Sequence, residues 1–246
     1  MKISVLIPVY NEVSTLAQVV ERVMAVDVEK EVLIIDDGST DGTWEVIQRL
    51  ADRWPGVVKP LRHERNRGKG AALRTAIPHI TGDVVITQDA DLEYDPADYP
   101  RLLAPFVSPE VQVVYGSRNL QRNPRSSWTF YWGGRLLSWL VNLLYGARIT
   151  DEATGYKAFR ADLFRNLRWK ADGFEFCPEV TAKILRQGIR IHEVPISYRP
   201  RSREEGKKIH WRDGIVAVWT LIRYRFFAGK QGSGGRGKRG SEEVRE

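Results

Sequence analysis

Residues 2–12 read KISVLIPVYNE, a short, mostly apolar run that ends in a polar cluster. The β-branched residues of Ile3–Val9 predict a strand. The next residues, Val13–Ala25, predict a helix because their apolar side chains recur every three to four positions. No charged leader with a long apolar stretch and a small-residue cleavage site precedes the strand, so we expect no signal peptide.

The same alternation of strand and helix continues through the first half of the chain. Four further strands are predicted, at Val32–Asp36, Val57–Arg62, Asp83–Gln88 and Val111–Tyr115. Helices are predicted between them, at Trp44–Trp54, Ala71–Ile80 and Ala97–Phe106. This order is typical of an α/β fold with a mostly parallel, Rossmann-like sheet that carries helices on both faces. Ligands of such folds gather at the carboxyl ends of the strands.

The composition and net charge indicate which kinds of molecule this protein could bind. The 246 residues are 42% hydrophobic, which is ordinary for a globular protein, and the net charge of +7 favours an anionic partner. Nucleic acid, acidic lipid and a phosphorylated substrate all qualify. The single cysteine, Cys177, cannot form an internal disulfide, which fits a reducing compartment.

Polar residues follow four of the predicted strands, at the point where each strand ends. They lie at residues 8–12, 36–42, 66–70 and 89–93. Any one of these clusters is explained equally well as a turn with helix caps. Because the carboxyl ends of parallel strands share one edge of a sheet, the four together predict a single binding site.

The fourth cluster, DADLE, carries three acidic side chains at alternating positions, Asp89, Asp91 and Glu93. If the segment is extended, all three point to the same side. Close carboxylates repel unless a cation lies between them, and hard divalent ions prefer oxygen ligands and substrate phosphates. The cluster therefore predicts a metal-bound diphosphate, with an acidic loop that caps the helix after Pro96 as the alternative.

The second and third clusters suit a nucleotide. Asp37 is placed to accept hydrogen bonds from a nucleobase or ribose. Arg67-Gly68-Lys69-Gly70, at a predicted helix start, offers cations and backbone N–H groups to an anion. The chain lacks a Walker A loop, and no G-x-G-x-x-G follows a strand, which disfavours a dinucleotide dehydrogenase.

The motifs PVYNE, DDGSTDG, NRGKG and DADLE, in this order, resemble those of family 2 glycosyltransferases with the GT-A fold. Within that family the chain is similar to the polyprenol-phosphate (dolichol-phosphate) mannosyl- and glucosyltransferases, over roughly residues 2–227. The resemblance implies a nucleotide-sugar donor and Mg²⁺ or Mn²⁺. It implies donor-binding roles for Pro8, Tyr10, Asn11, Glu12, Ile35, Asp37, Lys69, Asp89, Ala90 and Asp91, and metal ligands at Asp89, Asp91 and Glu93.

Later segments resemble the acceptor side of the same subgroup. Arg118, after the fifth strand, corresponds to an arginine that binds the acceptor phosphate, and residues 151–160, with Thr154, resemble the acceptor stretch. Residues 173–176 and Glu179 resemble the helix that closes the site. Residues 201–209 resemble a loop over the donor diphosphate, which implies roles for Arg201 (or Arg203), Lys207 and Lys208. The alternative for this loop is a solvated basic surface.

A phosphate monoester is largely a dianion at neutral pH, so it needs no general base to act as a nucleophile. It needs charge screening, for which Arg118, with Arg122 or Arg135, is suited. Direct displacement inverts the anomeric centre, with Asp91 and Arg118 as the catalytic residues. The alternatives are a hydroxyl of a polysaccharide or glycolipid as acceptor, with Glu179 as base, and a nucleic-acid-binding protein, which the acidic strand ends disfavour.

Two amphipathic, tryptophan-containing stretches with basic neighbours, residues 126–147 and 213–227, predict helices that lie in a membrane interface. The alternative is that both pack on the sheet. Neither has the ~18–20 apolar residues needed to cross a bilayer. We expect one domain over residues 1–228, an extra strand at Ile191–Tyr198, a disordered polar tail over 229–246, and a peripheral position on the cytoplasmic face of a membrane.

Overall fold

A computed structural model describes residues 1–124, 128–201 and 211–227. Seven strands in this part of the chain form one sheet: β1 (Ile3–Val9), β2 (Lys30–Asp36), β3 (Val58–Arg62), β4 (Val84–Thr87), β5 (Val113–Ser117), β6 (Lys157–Arg160) and β7 (Ile191–Pro195). Their order is β3-β2-β1-β4-β6-β5-β7. All neighbours are parallel except around β6, which runs antiparallel to β4 and β5. The predicted α/β class with a mostly parallel sheet is confirmed.

Strand β6 was not predicted, and it lies between two strands that were. Its residue Lys157 pairs with Thr87 on one side and Tyr115 on the other. The predicted strand Ile191–Tyr198 ends earlier, at Pro195. Beyond it, the N–H of Ile196 donates to the carbonyl oxygen of Ser117 at 3.2 Å, and Tyr198 forms an isolated bridge with Tyr94.

Eight α-helices cover the sheet in the described residues: α1 (Leu16–Ala25), α2 (Thr43–Arg53), α3 (Lys69–Ala76), α4 (Tyr99–Leu103), α5 (Trp128–Tyr145), α6 (Ala161–Asn166), α7 (Phe176–Arg186) and α8 (Trp211–Phe226). The predicted helix Ala97–Phe106 is divided. Only α4 is α-helical, between 3₁₀ turns at Pro96–Asp98 and Ala104–Val107. Prolines 96, 100 and 105 interrupt the hydrogen-bond ladder there.

The sheet separates two apolar layers, and neighbouring residues of one strand contribute to opposite layers. In β1, Val5 packs in the layer with Leu16 and Ile47, whereas Leu6 packs in the layer with Leu73. This is the two-residue period of a strand buried on both faces. The polar residues after each strand are left at the carboxyl edge.

Helices α5 and α8 pack together beside the second layer. Tyr145 Oη donates to the carbonyl oxygen of Leu221 at 2.7 Å, and Val141 and Leu221 are buried. The outward side of both helices is apolar and exposed. Over the residues described, no helix combines the length and the apolar character that crossing a bilayer would take.

A buried carboxylate holds the amino-terminal edge of the sheet, away from the polar clusters. Glu31 accepts hydrogen bonds from Ser4 Oγ (2.5 Å), Lys59 Nζ (2.7 Å) and Thr81 N (2.6 Å). Burial by itself raises the pKa of Glu31, but these donors outweigh it and lower the pKa from 4.5 to about 2. Because the folded pKa is the lower one, Glu31 stabilises the fold above pH 4.5, and this contribution is lost as the pH falls towards 2.

We expect Glu31→Gln to lower the free energy of unfolding at pH 7 by about 1–3 kcal/mol, since it leaves buried donors without a charged acceptor. The difference from the wild type should shrink below pH 4.5, where the wild-type carboxylate begins to lose its advantage. Urea denaturation at pH 7 and pH 3.5 measures both values. Glu29→Gln, at an exposed position nearby, is the control. An equal loss of stability at both pH values would contradict this role.

Candidate active site

The four polar clusters meet at the carboxyl edge of the sheet, as predicted. Ser39 Oγ accepts from the backbone N–H of Asn11 at 2.9 Å, which joins the clusters after β1 and β2. Lys69 of α3 pairs with Asp89 after β4, which joins the third cluster to the fourth. The hydroxyl of Thr15 donates to the carbonyl oxygen of Ala90 at 2.8 Å. The clusters therefore form one connected polar surface.

Buried hydrogen bonds of Asp37 stabilise this surface. Its carboxylate accepts from the backbone N–H groups of Arg67 (2.9 Å) and Gly68 (2.7 Å) and lies 2.7 Å from His63 Nδ1. The other ring nitrogen of His63 lies 2.8 Å from Thr75 Oγ1. Asp37 and His63 are both buried. Sequence reasoning missed His63, because nothing in the spacing of a single histidine shows that it supports Asp37.

The other residues expected to hold a nucleoside take different positions. Pro8 and Ile35 face each other in the register of β1 and β2. The side chain of Ile35 is fully buried in the apolar layer, so the expectation that it reaches a ligand is wrong for the side chain. Tyr10 and Glu12 are half-buried at the edge. Of this set, Tyr10 and Glu12 are the polar side chains exposed enough to contact a nucleoside.

Arg201 lies against Glu12 in a two-pronged ion pair. Its Nη1 and Nη2 donate to the two carboxylate oxygens of Glu12 at 3.2 and 3.0 Å. This places the predicted donor-binding arginine at the cluster after β1. The other predicted residues of the loop, Lys207 and Lys208, and its alternative Arg203, lie outside the described residues.

The predicted alignment of three carboxylates after β4 is wrong. The chain bends at residues 90–93 and does not continue as a strand. Glu93 turns to another segment, where its carboxylate accepts from the backbone N–H of Arg201 (2.8 Å) and from Tyr198 Oη (3.3 Å). In the described ranges no three histidine, cysteine or acidic side chains are grouped to hold a metal ion.

Asp89 and Asp91 nevertheless have the chemistry that a divalent ion requires. Burial and repulsion from Asp89 and Glu93 raise the pKa of Asp91 to about 7, against the opposing effect of Arg201. This is the electrostatic signature of carboxylates that lack sufficient positive charge. Carboxylate oxygens are also the ligands that Mg²⁺ prefers. The residues fit a divalent ion held by two carboxylates, with Glu93 engaged elsewhere.

A cavity of about 440 Å³ is lined by three predicted arginines, Arg118, Arg122 and Arg135. It is also lined by Asn119, Gln121, Asn123, Pro124, Tyr131, Gly134, Asp151 and Tyr198. The structure brings Arg118 together with both of its alternative partners, Arg122 and Arg135, and their binding of a phosphate stays a prediction. In the part of the chain that the structure describes, no carboxylate pairs with Arg122 or Arg135.

Arg118 is held in one orientation. Its Nε and Nη2 donate to the two oxygens of Asp151, each at 2.7 Å, and the backbone N–H of Arg118 adds a third bond at 2.9 Å. Asp151 is in turn fixed by its own N–H, which donates to Glu193. The pairing spans 33 residues, and no sequence signal shows it.

Two residues expected on the acceptor side do not reach the cavity. Thr154 is fully buried, and its hydroxyl accepts from the backbone N–H of Tyr156 at 3.2 Å. Glu179 is buried on α7 and accepts from the backbone N–H groups of Lys170 (2.9 Å) and Ala171 (2.7 Å). Lys183 and Tyr224 also bind Glu179, at 2.8 and 2.6 Å. Both expectations are corrected, because these side chains hold loops and helices together.

The family profile described as "Glycosyl transferase family 2" matches residues 4–168. The chain belongs to glycosyltransferase family 2. Among curated relatives, it is 29% identical to the dolichol-phosphate mannosyltransferase of Pyrococcus furiosus over 84% of this chain and 59% of that protein. It is 31% identical to the undecaprenyl-phosphate mannosyltransferase of Micrococcus luteus over 92% of this chain and 99% of that protein. The chain thus spans about three fifths of the first relative.

Solved structures confirm the fold. Glucosyl-3-phosphoglycerate synthase from Mycobacterium tuberculosis, in complex with Mn²⁺, UDP and glucosyl-3-phosphoglycerate, matches with a TM-score of 0.66 and 22% identity, over 91% of this chain and 80% of that one. Mannosyl-3-phosphoglycerate synthase from Rubrobacter xylanophilus matches with a TM-score of 0.69 and 19% identity, over 91% and 72%.

At Gly155, the loop between Asp151 and β6 contacts the acidic loop after β4. A Cβ at this position would lie 2.3 Å from Asp89 Oδ2 and 2.9 Å from the ring of Tyr94. Its N–H donates to Tyr94 Oη at 2.9 Å, and its carbonyl oxygen accepts from Thr87 Oγ1 at 2.7 Å. The loop therefore cannot move away to make room without losing these bonds.

We expect Gly155→Ala to displace the Asp89 carboxylate and to weaken binding of GDP or UDP in the presence of Mn²⁺ by about tenfold or more, roughly one lost charged contact. Isothermal titration calorimetry measures this affinity. Gly133→Ala, where nothing lies within 4 Å of the added atom, is the matched control. Wild-type affinity in Gly155→Ala would show that Asp89 takes no part.

Proposed function

We propose that this chain transfers a hexose from a nucleotide-diphosphate sugar, GDP-mannose or UDP-glucose, to a polyprenyl phosphate at a membrane surface, with inversion of the anomeric centre. One observation carries the proposal. Tyr198 lines a cavity with three arginines and also binds Glu93 of the acidic loop after β4, and helix α5, which lines the same cavity, carries exposed apolar side chains. The arginines are suited to a phosphate, the acidic loop to the metal-bound diphosphate of an activated sugar, and the apolar side chains of α5 to a lipid.

The donor half is supported by the connected polar edge. The side chains of Lys69 and Arg201 supply positive charge for a diphosphate. Asp89 and Asp91 would hold Mg²⁺ or Mn²⁺, which when bound screens the negative charge of the leaving diphosphate. A mannosyltransferase from Pyrobaculum calidifontis, at TM-score 0.57, was solved with GDP-mannose and Mn²⁺.

The acceptor half is supported by the charge of the cavity. Arg118 is oriented by Asp151, whereas Arg122 and Arg135 have no acidic partner in the described residues, so the cavity carries excess positive charge. Planar guanidinium groups bind phosphate oxygens in pairs. The cavity is therefore suited to a phosphate dianion that enters beside the donor.

The chemistry then requires no base. An oxygen of the acceptor phosphate attacks the anomeric carbon while the bond from that carbon to the diphosphate oxygen breaks, and the nucleoside diphosphate leaves. Arg118, Arg122 and Arg135 hold the attacking phosphate and reduce its repulsion from the donor. Lys69, beside Asp89, and Arg201, beside Glu12, would offset the negative charge that grows on the departing group.

A hydroxyl acceptor fits the site less well. Such an acceptor needs a carboxylate base. Asp151 lines the cavity, but both of its oxygens are bound by Arg118, and Glu179 is buried away from the cavity. A phosphate acceptor avoids this requirement.

The lipid part of the proposal rests on α5. Tyr131, Gly134 and Arg135 face the cavity from this helix. The helix also carries an apolar stripe, about a quarter of a turn around its axis from these cavity-lining residues, at 100° per residue. Each side chain of the stripe is more than half exposed. The stripe consists of Trp128, Trp132, Leu136, Trp139 and Leu143. A lipid whose phosphate lies in the cavity can therefore leave directly along apolar side chains.

Helix α8 extends this apolar surface, and basic residues border it. Ile215, Trp219 and Phe226 are each more than half exposed. Arg223 and Arg225 lie in the last turn. Apolar and aromatic side chains with basic neighbours are typical of helices in the membrane interface, and the cytoplasmic leaflet is the anionic one. We accordingly propose peripheral attachment at the cytoplasmic face.

We expect Asp91→Asn to abolish transfer of labelled mannose or glucose to polyprenyl phosphate, by about 100-fold or more, because a charge that offsets the metal and orients the donor is lost. Circular dichroism should show an unchanged fold. Asp52→Asn, an exposed carboxylate on α2, is the matched control. Near-normal turnover in Asp91→Asn would refute the role of the acidic loop.

We expect the double substitution Trp132→Ser and Trp139→Ser to reduce binding to anionic vesicles several-fold, because both exposed rings would enter the interface. Vesicle flotation at low salt measures the bound fraction. Val107→Ser, which removes an even more exposed apolar side chain outside both helices, is the control. If the wild type fails to float with vesicles, the membrane proposal is wrong.

A further inference from the structure

Tyr198 contacts a charged group on each side of the proposed site. The guanidinium carbon of Arg118 lies 5.0 Å from the centre of its ring. Its hydroxyl donates to Glu93 Oε2 at 3.3 Å. Tyr198 therefore touches both the arginine of the acceptor cavity and the acidic loop of the donor half, although it comes 80 residues after the first and 105 after the second.

Tyr198 is also held by contacts other than those of its side chain with the two charged groups. Its backbone N–H donates to Asn123 Oδ1 at 3.0 Å, and it forms an isolated bridge with Tyr94. The two tyrosine rings lie 5.5 Å apart. Tyr198 is buried. The ring is thus a rigid support and not a side chain that follows its neighbours.

On the acceptor side, the ring of Tyr198 lies next to the guanidinium of Arg118, which Asp151 also binds. Asp151 binds Nε and Nη2 within the plane of the guanidinium. A cation within 6 Å of an aromatic ring is attracted to the ring. Together, the carboxylate and the ring restrict rotation of the guanidinium and leave its remaining in-plane N–H groups for a ligand in the cavity.

On the donor side, Tyr198 is part of the clamp on Glu93. The carbonyl oxygen of Glu93 accepts from the N–H of Arg199 at 2.8 Å, and its Oε1 accepts from the N–H of Arg201 at 2.8 Å. The tyrosine hydroxyl donates to Oε2 of the same carboxylate. Burial and the charge of Glu93 raise the pKa of Tyr198, so the hydroxyl keeps its proton and donates it in this bond.

We propose that Tyr198 is a positioning residue that serves both halves of the site: its ring orients Arg118 for the acceptor phosphate, and its hydroxyl holds Glu93 beside the donor. The proposal rests on the proposed function, because it takes the cavity as the acceptor site. The ring and the hydroxyl act on different ligands, so two substitutions separate them.

The test compares Tyr198→Phe with Tyr198→Leu. Calorimetry measures the dissociation constant for farnesyl phosphate, a short acceptor probe, and separately that for GDP or UDP with Mn²⁺. Tyr198→Phe keeps the ring, so we expect the farnesyl phosphate constant to stay within about twofold and the nucleotide constant to rise about fivefold, the effect of one lost hydrogen bond. Tyr198→Leu should in addition raise the farnesyl phosphate constant about tenfold.

The pattern distinguishes positioning from a general loss of structure. If Tyr198→Phe weakens farnesyl phosphate as much as Tyr198→Leu does, or if neither variant alters it, the proposal is overturned. Should Tyr198→Leu fail to fold, Tyr198→Phe alone decides the case: a nucleotide effect without an acceptor effect supports the proposal, and any other pattern contradicts it. In transfer assays, the Michaelis constants should separate in the same way.

The wild type keeps this test independent of the proposed function. If the wild type binds farnesyl phosphate in a Tyr198-dependent manner but transfers no hexose to polyprenyl phosphate, the proposed function fails and the positioning role stands. If the wild type transfers hexose but Tyr198→Leu binds farnesyl phosphate normally, only the positioning role fails. If the wild type binds no farnesyl phosphate, both are overturned.

Discussion

The carboxylates close together at the carboxyl end of β4 require compensating positive charge, and neighbouring basic side chains supply part of it. Lys69 reaches across from α3 to Asp89, and Arg201 approaches Glu12 and Asp91 from a distant segment. Each cation stands where a metal ion or an activated diphosphate would bring charge of its own. In the proposed function, a donor would replace these ion pairs with its own charges, and the fold would keep the charged residues together.

One short loop connects this acidic region to the arginine cavity. At one end Asp151 fixes Arg118, and at the other Gly155 touches Asp89. The ammonium of Lys157, buried in β6, donates to the carbonyl oxygens of Glu152 (2.7 Å) and Thr154 (2.9 Å) and holds the loop between them. The antiparallel strand β6 therefore holds the loop that connects the arginine cavity with Asp89.

Local patterns predicted much of this arrangement, and long-range contacts decided the rest. The strands β1, β2 and β3 were found because β-branched runs mark buried parallel strands, and the four clusters met because those strands are parallel. Strand β6 was missed because its four residues pair only with strands distant in sequence. Glu93 was misplaced because alternation assumes an extended chain, and the segment bends. Glu179 was misassigned because a resemblance carries a role without revealing burial.

The central claim is that the acidic edge holds the donor while the arginine cavity holds a lipid phosphate beside it. A crystal structure with GDP or UDP, Mn²⁺ and a short-chain prenyl phosphate tests both parts at once. The account predicts density for an ion between Asp89, Asp91 and the diphosphate, and a phosphate bound by Arg118, Arg122 and Arg135. A nucleotide bound away from the end of β4, or a lipid phosphate outside the three-arginine cavity, would contradict it.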